Sequence, residues 1–257
     1  MTSTKKKGQT IKKLLISQPE PDSKSSPYYN LAEKYNLKLQ FKPFIHIEGV
    51  STREFRRQKI NILDYSAVIF TSRSAIDHFF RLCEELRVNL PQLTKYFCMT
   101  EPIALYLQKY ILYRKRKVFY ASGTTTSIKE LIKKYKTESY LFPCSDIHKK
   151  VIPDYIQELG CDYAEAVIYK TVNSDLSKVS ALDFDMIVFF SPSGIKSFRK
   201  SFPSFEQGNI RIAAFGPTTT KSVEIEGLRL DIKAPEPESP SMAQAIDNYL
   251  KSLNGSR

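Results

Sequence analysis

The sequence contains no tryptophan, and it has few residues that could bind a metal or form a disulfide. Among 257 residues there are four cysteines, with no CxxC pair among them, and three histidines, with no HExxH motif. These absences exclude the common zinc-binding patterns and a disulfide framework, so we expect no metal site. Scattered cysteines are typical of free thiols in a reducing compartment, which predicts a cytoplasmic location. The residues in question are Cys83, Cys98, Cys144, Cys161, His46, His78 and His148.

Long apolar stretches are also missing. No run approaches the roughly 20 residues that a membrane-spanning helix requires. The first 13 residues carry five lysines and no apolar segment, so we expect no secretory signal there and predict that residues 1–12 are a disordered basic tail.

Basic residues exceed acidic ones by 39 to 27, a formal net charge of +12. Part of the excess lies in the tail and part in the block Arg114–Lys117. This balance suits an anionic partner, either a nucleic acid or a small polycarboxylate or phosphate, or else simply a lysine-rich solvated surface. We find no helix-turn-helix, zinc-finger or RNP pattern, so we do not expect nucleic acid to be the partner.

Short apolar strands alternate with helical segments along the chain, which predicts βαβ units and parallel sheets. Within this pattern residues 63–76 align with residues 182–195 without a gap, at an offset of 119, and Phe79 then meets Phe198. A period this long favours two similar α/β domains. The second repeat has no first strand of its own, so we expect Leu14–Ser17 to supply it and make that domain discontinuous.

The expected architecture is therefore two similar parallel-sheet α/β domains joined by a two-stranded β linker. The predicted ranges are 1–42 with 172–257 for one domain and 48–166 for the other, with crossings near 41–47 and 166–172.

Chemistry is expected where strands end and helices begin, because ligands bind at the carboxyl ends of parallel strands. Four such turns, at 70–74, 121–127, 190–194 and 215–220, are rich in serine, threonine and glycine. They place N–H groups and hydroxyls at helix N-termini, which favours an anion, but serine and threonine are also ordinary helix caps. None is a P-loop or a GxGxxG fingerprint, and no GxSxG motif is present.

Tyr169 lies on the return crossing between the predicted domains. A tyrosine of ordinary pKa is protonated at neutral pH and can give a proton to a leaving group. The alternative is an aromatic side chain that merely packs the linker.

The segments VIFTSRSAI, AVIYKT, IVFFSPSGIKSF, AAFGPTTTKS and KAPEPESPSMAQAI, in this order, resemble the uroporphyrinogen-III synthase family. The resemblance runs from about Lys13 to Leu250 and is strongest over 166–246. It implies a cofactor-free lyase, a cyclising hydro-lyase of tetrapyrrole and heme biosynthesis. The enzyme would convert linear hydroxymethylbilane to uroporphyrinogen III in the interdomain cleft, with loss of water and inversion of ring D through a spirocyclic intermediate.

Carried over by position, the resemblance makes Tyr169 the residue that assists loss of the hydroxyl group. It makes the following residues substrate-binding: Thr71, Ser72, Ser191, Ser193, Gly194, Gly216, Pro217, Thr218 and Thr219. Ser122 and Gly123 join the predicted substrate-binding residues because their turn has the same small polar composition at a helix N-terminus. One turn departs from the family, because Met99–Ile103 replaces a Gly-x-x-Thr-Ala turn and Glu101 would repel a carboxylate. We assign no site residue there.

The expected partners are the polycarboxylate substrate and, transiently, hydroxymethylbilane synthase. We expect a monomer that does not contact a membrane. A two-lobed protein that binds a small anion without catalysis is the alternative, and it would share the loops but not need Tyr169.

Overall fold

A computed structural model describes residues 11–255 of the chain, which form two compact units. The first unit combines the described residues up to His46 with those from Val172 onward, and the second is Ile47–Thr171. Of the predicted tail, only Ile11 and Lys12 fall within the described residues. Ile11 is buried and the Lys12 N–H donates to Asp185 at 2.8 Å, so both belong to the first unit.

The strands in chain order are β1 Lys13–Ile16, β2 Lys38–Phe41, β3 Ile45–Gly49, β4 Ala67–Phe70, β5 Lys95–Cys98, β6 Val118–Tyr120, β7 Tyr140–Ser145, β8 Tyr163–Asn173, β9 Met186–Phe189, β10 Arg211–Phe215 and β11 Ile232–Ala234. The helices are α1 Pro27–Tyr35, α2 Thr52–Arg56, α3 Arg73–Leu86, α4 Glu101–Tyr106, α5 Thr125–Lys134, α6 Val151–Glu158, α7 Pro192–Ser201, α8 Pro217–Ile225 and α9 Met242–Gly255. Among the described residues, no helix is long and apolar enough to cross a membrane.

The first unit contains a five-stranded sheet in the order β11-β10-β9-β1-β2. Every pair in it is parallel, and β1 lies between β9 and β2, with Leu14 opposite Met186 and Leu39. The N-terminal strand β1 thus lies inside a sheet whose strands β9, β10 and β11 come from the last third of the chain.

The second unit contains a six-stranded sheet in the order β3-β8-β7-β4-β5-β6. The pairs β4–β5, β4–β7, β5–β6 and β7–β8 are all parallel. The chain builds outward from β4 to β5 and β6 on one side and returns through β7 and β8 on the other. The order therefore reverses between β4 and β7, and ligands in open α/β sheets bind at such a reversal.

Both sheets are covered on both faces. Along β1 and β9, Leu14 and Met186 belong to one buried cluster, whereas Leu15 and Ile187 belong to another. In the second unit Phe70 and Cys98 pack on one face and Phe97 on the other. Since alternate residues of a strand point to opposite faces, fully apolar strands such as β4 and β9 are what a sheet buried on both sides requires.

The repeat seen in the sequence corresponds to equivalent elements. The strands β4 and β9 and the caps of α3 and α7 all keep the offset of 119, and Phe79 and Phe198 are both fully buried. The repeat drifts farther on. The α9 cap is Ser241, whose hydroxyl accepts from the Gln244 N–H, and the equivalent cap of α5 is Thr124, so the offset between these two helices is 117.

The sequence pattern predicts one extended stretch over 37–47 and a last strand near 228–232, and it predicts no helix over 52–56; the structure differs at all three places. The stretch 37–47 forms two strands in different sheets, and α2 is a short helix. The last strand lies at β11 rather than at 228–232, because Gly227, at φ 68°, ends α8 and its neighbour Leu228 turns into the core, where its N–H donates to the Val223 carbonyl.

Candidate active site

A cavity of about 240 Å³ lies at the carboxyl edge of the six-stranded sheet, at the reversal between β4 and β7. Residues within β7 and β8, in the turns after β4, β5 and β7, and in the first turns of α5 and α6 line it. They are Thr71, Met99, Thr125, Phe142, Cys144, Ser145, His148, Lys149, Val151, Ile152 and Tyr169. The cavity is smaller than the roughly 300–1,000 Å³ of sites that enclose a drug-sized ligand, so it suits one part of a larger molecule.

Tyr169 lies on β8 and is held from two directions. Its ring stacks on the His78 imidazole, with centroids 5.3 Å apart and planes 26° apart, and its side chain is hydrogen-bonded to Ser72. Burial raises the pKa of Tyr169, and the weaker effect of Ser72 opposes this. The phenol therefore keeps its proton throughout the neutral range.

His78 lies on α3, close to the end of β3. Burial, and next the positive charge of Arg81, lower the pKa of His78, so the imidazole is neutral at pH 7. A side chain at Gly49 would come within 2.9 Å of His78 Nδ1 and 2.7 Å of the Arg81 guanidinium. Glycine at this position is therefore what allows β3 to approach the helix that carries His78.

Asp146 fixes the loop beside Tyr169. Its carboxylate accepts from the backbone N–H groups of Thr171 and Ile147, both at 3.0 Å, and from the Ser145 hydroxyl at 2.8 Å. Burial raises the pKa of Asp146, but these hydrogen bonds outweigh it and the net shift is downward. In return, the Asp146 N–H donates to the Tyr169 carbonyl at 3.2 Å.

His148 forms one wall of the cavity. Its Nδ1 lies 2.7 Å from the Ser145 carbonyl, and its Nε2 contacts the Glu165 carboxylate, which also binds Lys150 Nζ at 2.5 Å. Burial raises the pKa of Glu165, but the hydrogen bonds from Lys150 and His148 lower it further than burial raises it.

Cys144, His148 and Glu165 place ligand atoms within 4.8 Å of one another, the spacing that a metal ion could use. The carboxylate is already shared by two basic side chains, however, and burial raises the pKa of Cys144 to about 12, so the sulfur is a thiol. The ion pairs of the cluster account for its geometry, and we assign no metal to it.

Two of the predicted serines, Ser72 and Ser191, cap the helices that follow them. Ser72 caps α3 by accepting from the Ala75 N–H at 3.0 Å, and Ser191 caps α7 by accepting from the Gly194 N–H at the same distance. Only Ser72 also contacts Tyr169. Thr71, next to Ser72, lines the cavity.

The turn after β6 holds Ser122 and Gly123, both exposed. Gly123 adopts φ 90° and donates its N–H to the Met99 carbonyl at 2.9 Å. A left-handed φ favours glycine, and the bond ties this turn to the end of β5. Neither residue lines the cavity, but Thr125 in the same segment does.

The remaining predicted residues lie in the first unit, in the turns that follow the neighbouring strands β9 and β10. Gly216 adopts φ 89° and donates to the Ala234 carbonyl at 2.6 Å, and Pro217 and Thr218 are exposed beside it. Thr219 as a whole is only 2% exposed, so its hydroxyl is not presented at the surface of this turn.

In the turn after β9, Ser193 is half-buried and Gly194 is buried. A Cβ on Gly194 would lie 3.2 Å from Ser191 Oγ, so glycine here leaves room for the cap.

Sequence reasoning missed His148, Met99 and the stacking role of His78. The sequence pattern predicts a helix over 148–159, which would include His148, but α6 begins at Val151 and His148 lies in the turn after β7. The rule that chemistry follows the strand ends would have found it. Met99 lines the cavity from the turn to which we assigned no site residue, and Glu101 accepts from the Tyr120 hydroxyl at 3.0 Å.

Comparison with known proteins gives consistent matches over nearly the whole chain. A family model described as Uroporphyrinogen-III synthase HemD matches residues 27–244. A uroporphyrinogen-III synthase from Chlorobaculum parvum is 24% identical over 254 residues, which cover 94% of this chain and 100% of that protein. One from Saccharomyces cerevisiae is 29% identical over 132 residues, which cover 46% of this chain and 48% of that protein.

Two solved structures share the fold. The uroporphyrinogen-III synthetase of Helicobacter pylori superposes with a TM-score of 0.58 at 20% identity, covering 94% of this chain and all of that one. A mutant uroporphyrinogen III synthase from Thermus thermophilus gives 0.56 at 13% identity and covers 96% of this chain and all of that one.

Proposed function

This chain belongs to the uroporphyrinogen-III synthase family, and on that premise we propose the reaction that it performs and the residues that carry it. It cyclises linear hydroxymethylbilane to uroporphyrinogen III, with loss of water and inversion of ring D. The observation that supports this most directly is the phenol of Tyr169, kept protonated at a cavity where a strand order reverses.

In the proposed reaction the carbon–oxygen bond of the hydroxymethyl group breaks and the Tyr169 hydroxyl gives its proton to the departing oxygen, so that water leaves. The carbon left behind then forms a carbon–carbon bond to ring D, and the proton released as the macrocycle closes returns to the tyrosinate. Ser72 and His78 orient the phenol through the contacts described above. General acid catalysis of this kind contributes typically 10²–10⁴-fold to a rate.

The cavity receives one pyrrole ring of the substrate rather than the whole tetrapyrrole, because of its volume of about 240 Å³. Lys149 and the first turn of α5 lie at its wall and suit a carboxylate side chain of that ring. In the first unit, the turns at Ser191–Gly194 and Gly216–Thr219 offer N–H groups and hydroxyls to other carboxylates of the substrate.

We also propose that the protein acts in the cytoplasm, since its four cysteines are free thiols. A monomeric state is part of the same proposal. A transient contact with hydroxymethylbilane synthase would shorten the time during which the substrate can close spontaneously to the unrearranged isomer.

The test is a coupled assay in which a deaminase makes hydroxymethylbilane from porphobilinogen and the oxidised porphyrin isomers are separated chromatographically. We expect isomer III with the wild-type protein. For Tyr169→Phe, which keeps the ring that stacks on His78, we expect about 10²-fold slower formation of isomer III and unchanged circular dichroism.

Isomer I alone from the folded wild-type protein would overturn the synthase reaction and favour a two-lobed protein that binds an anion. Full activity of Tyr169→Phe would leave the reaction standing but remove Tyr169 as the proton donor.

A further inference from the structure

The second unit has another cavity at the opposite edge of its sheet, about 470 Å³ in volume. It is lined by residues that precede β5 and β6, including Thr94 and Lys117, and by the chain around α3 and the 3-10 helix Leu107–Lys109. It shares no residue with the cavity at Tyr169, which lies at the carboxyl ends of the strands.

Thr94 marks this cavity as a binding site. The residue is only 3% exposed, and its hydroxyl has no hydrogen-bond partner among the described residues, although its N–H donates to the Pro91 carbonyl at 3.1 Å. A buried hydroxyl without a partner destabilises the folded protein, because it has lost its hydrogen bonds to water and gained none in return. A ligand atom in the cavity that Thr94 lines would remove that cost.

The walls suit a flat ring. Phe80 and Tyr110 line the cavity and stack on each other, with centroids 4.6 Å apart and planes 4° apart. The Tyr110 hydroxyl donates to Asp77 at 2.5 Å, which fixes the plane of the pair. Tyr96 adds a third, buried aromatic ring.

Two cations line the same cavity without a counter-charge. Arg114 and Lys117 belong to the basic block that the proposed reaction does not use, and within residues 11–255 neither forms an ion pair. Burial, and next the charges of Arg114 and Arg116, lower the pKa of Lys117, which means that they disfavour its charged form. An anion bound beside Lys117 would stabilise that charged form.

We propose that this cavity binds an aromatic phosphomonoester of one or two rings, such as a nucleoside monophosphate. The dianionic phosphate pairs with Arg114 and Lys117, the ring lies against the Phe80–Tyr110 pair, and the Thr94 hydroxyl bonds to a polar atom of the ring. A phosphomonoester carries about −1.5 to −2 charges at pH 7, which two cations match better than one carboxylate would. The volume falls in the range of small-molecule sites.

The experiment uses the full chain and four probes: AMP, phenyl phosphate, benzoate and inorganic phosphate. Titration calorimetry gives the dissociation constants and differential scanning fluorimetry gives the shift of the melting temperature. We expect AMP to bind and to raise the melting temperature with concentration, phenyl phosphate to bind more weakly, and benzoate and inorganic phosphate to bind weakest.

Four variants assign the contacts. We expect Lys117→Ala and Arg114→Ala each to weaken AMP about tenfold, because each removes a charge-assisted bond. Lys115→Ala and Arg116→Ala, in the same block but outside the cavity lining, are the matched controls and should change the affinity little.

Thr94→Val separates the ring contact from the phosphate contact. It should weaken AMP about fivefold, leave phenyl phosphate unchanged and raise the melting temperature of the free protein, since it removes a buried unpaired hydroxyl. Several results would overturn the proposal: no binding of AMP at millimolar concentration, equal binding of inorganic phosphate or benzoate, or equal losses in the control variants. Isomer III formation measured in parallel tests the reaction separately, because it depends on the other cavity.

Discussion

At the scale of single residues, Tyr169 depends on neighbours from two other parts of the chain. The ring of His78 comes from α3 and the hydroxyl of Ser72 from the cap of that helix, whereas Asp146, in the loop after β7, donates its N–H to the Tyr169 carbonyl. Two of these three were not among the expected site residues. The positions of His78 and Asp146 follow from packing between elements distant in sequence, which no local pattern records.

The neutral state of His78 predicts a pH dependence of stability. Its folded pKa lies below 6.5 because of burial and Arg81, so the unfolded chain binds the proton more readily. Titration of His78 therefore leaves the free energy of unfolding unchanged above about pH 6.5. It lowers that free energy as the pH falls from about 6.5 to the pKa of His78 in the folded protein. We expect urea unfolding of the wild type to show this fall and His78→Phe, which keeps an aromatic ring on Tyr169, to lose most of it.

Carboxylates change the free energy of unfolding only at a pH lower than the range in which His78 titrates. The lowered pKa of Glu165 makes its own contribution disappear near and below pH 4.5. An unchanged slope between pH 6.5 and 5 in His78→Phe would show that His78 is not the group responsible.

At the scale of elements, the serines after β4 and β9 are helix caps whatever else they do. The sequence left capping and anion binding open, and the bonds to Ala75 and Gly194 establish the first without excluding the second. Ser51 caps α2 in the same way, accepting from the Glu54 N–H at 3.3 Å, and it is not among the proposed site residues.

This set of caps gives a matched comparison. Ser51→Ala, Ser72→Ala and Ser191→Ala should each lower the free energy of unfolding by about 1 kcal/mol in urea titrations. If the turns also hold substrate or Tyr169, the second and third variants alone should slow isomer III formation, by about tenfold. If all three variants form isomer III at the same rate, then Ser72 and Ser191 act only as helix caps.

Helix starts explain one error at this scale. The pattern over 148–159 is amphipathic, but the helix begins three residues later, after a turn in which His148 and Ser145 bond to each other. The periodicity of apolar residues predicts where a helix lies better than it predicts where the helix begins, and His148 lies just before the beginning of α6.

At the scale of the whole molecule, each unit has its own core. The buried clusters of residues 50–168 share no member with those formed by residues 11–44 and 176–250. The sequence could predict this duplication because the offset of 119 survives in β4, β9 and the helices after them. It could not predict the drift in the later elements, where turn lengths differ.

Separate cores predict separate folding. The Ser174 N–H donates to the Phe44 carbonyl at 3.0 Å, so a linker of three glycines from residue 44 to residue 174 should close the first unit without strain. We expect that shortened chain and the fragment 45–173 each to unfold in one cooperative transition, followed by circular dichroism and calorimetry. A fragment with secondary structure but no cooperative transition would mean that its unit needs the other.

The placement of β1 has a consequence for the protein while it is being made. Leu14, Leu15 and Ile16 are fully buried between β9 and β2, yet Met186, which pairs with Leu14, leaves the ribosome long after them. At about 5–20 residues per second the nascent chain carries this apolar strand without its inner partner for roughly ten seconds or more. The second unit, continuous in sequence, can complete its sheet in that interval. During translation, a folded second unit is thus attached to an incomplete first unit whose apolar strand β1 has no partner β9. In that interval β1 is a defined target for a chaperone.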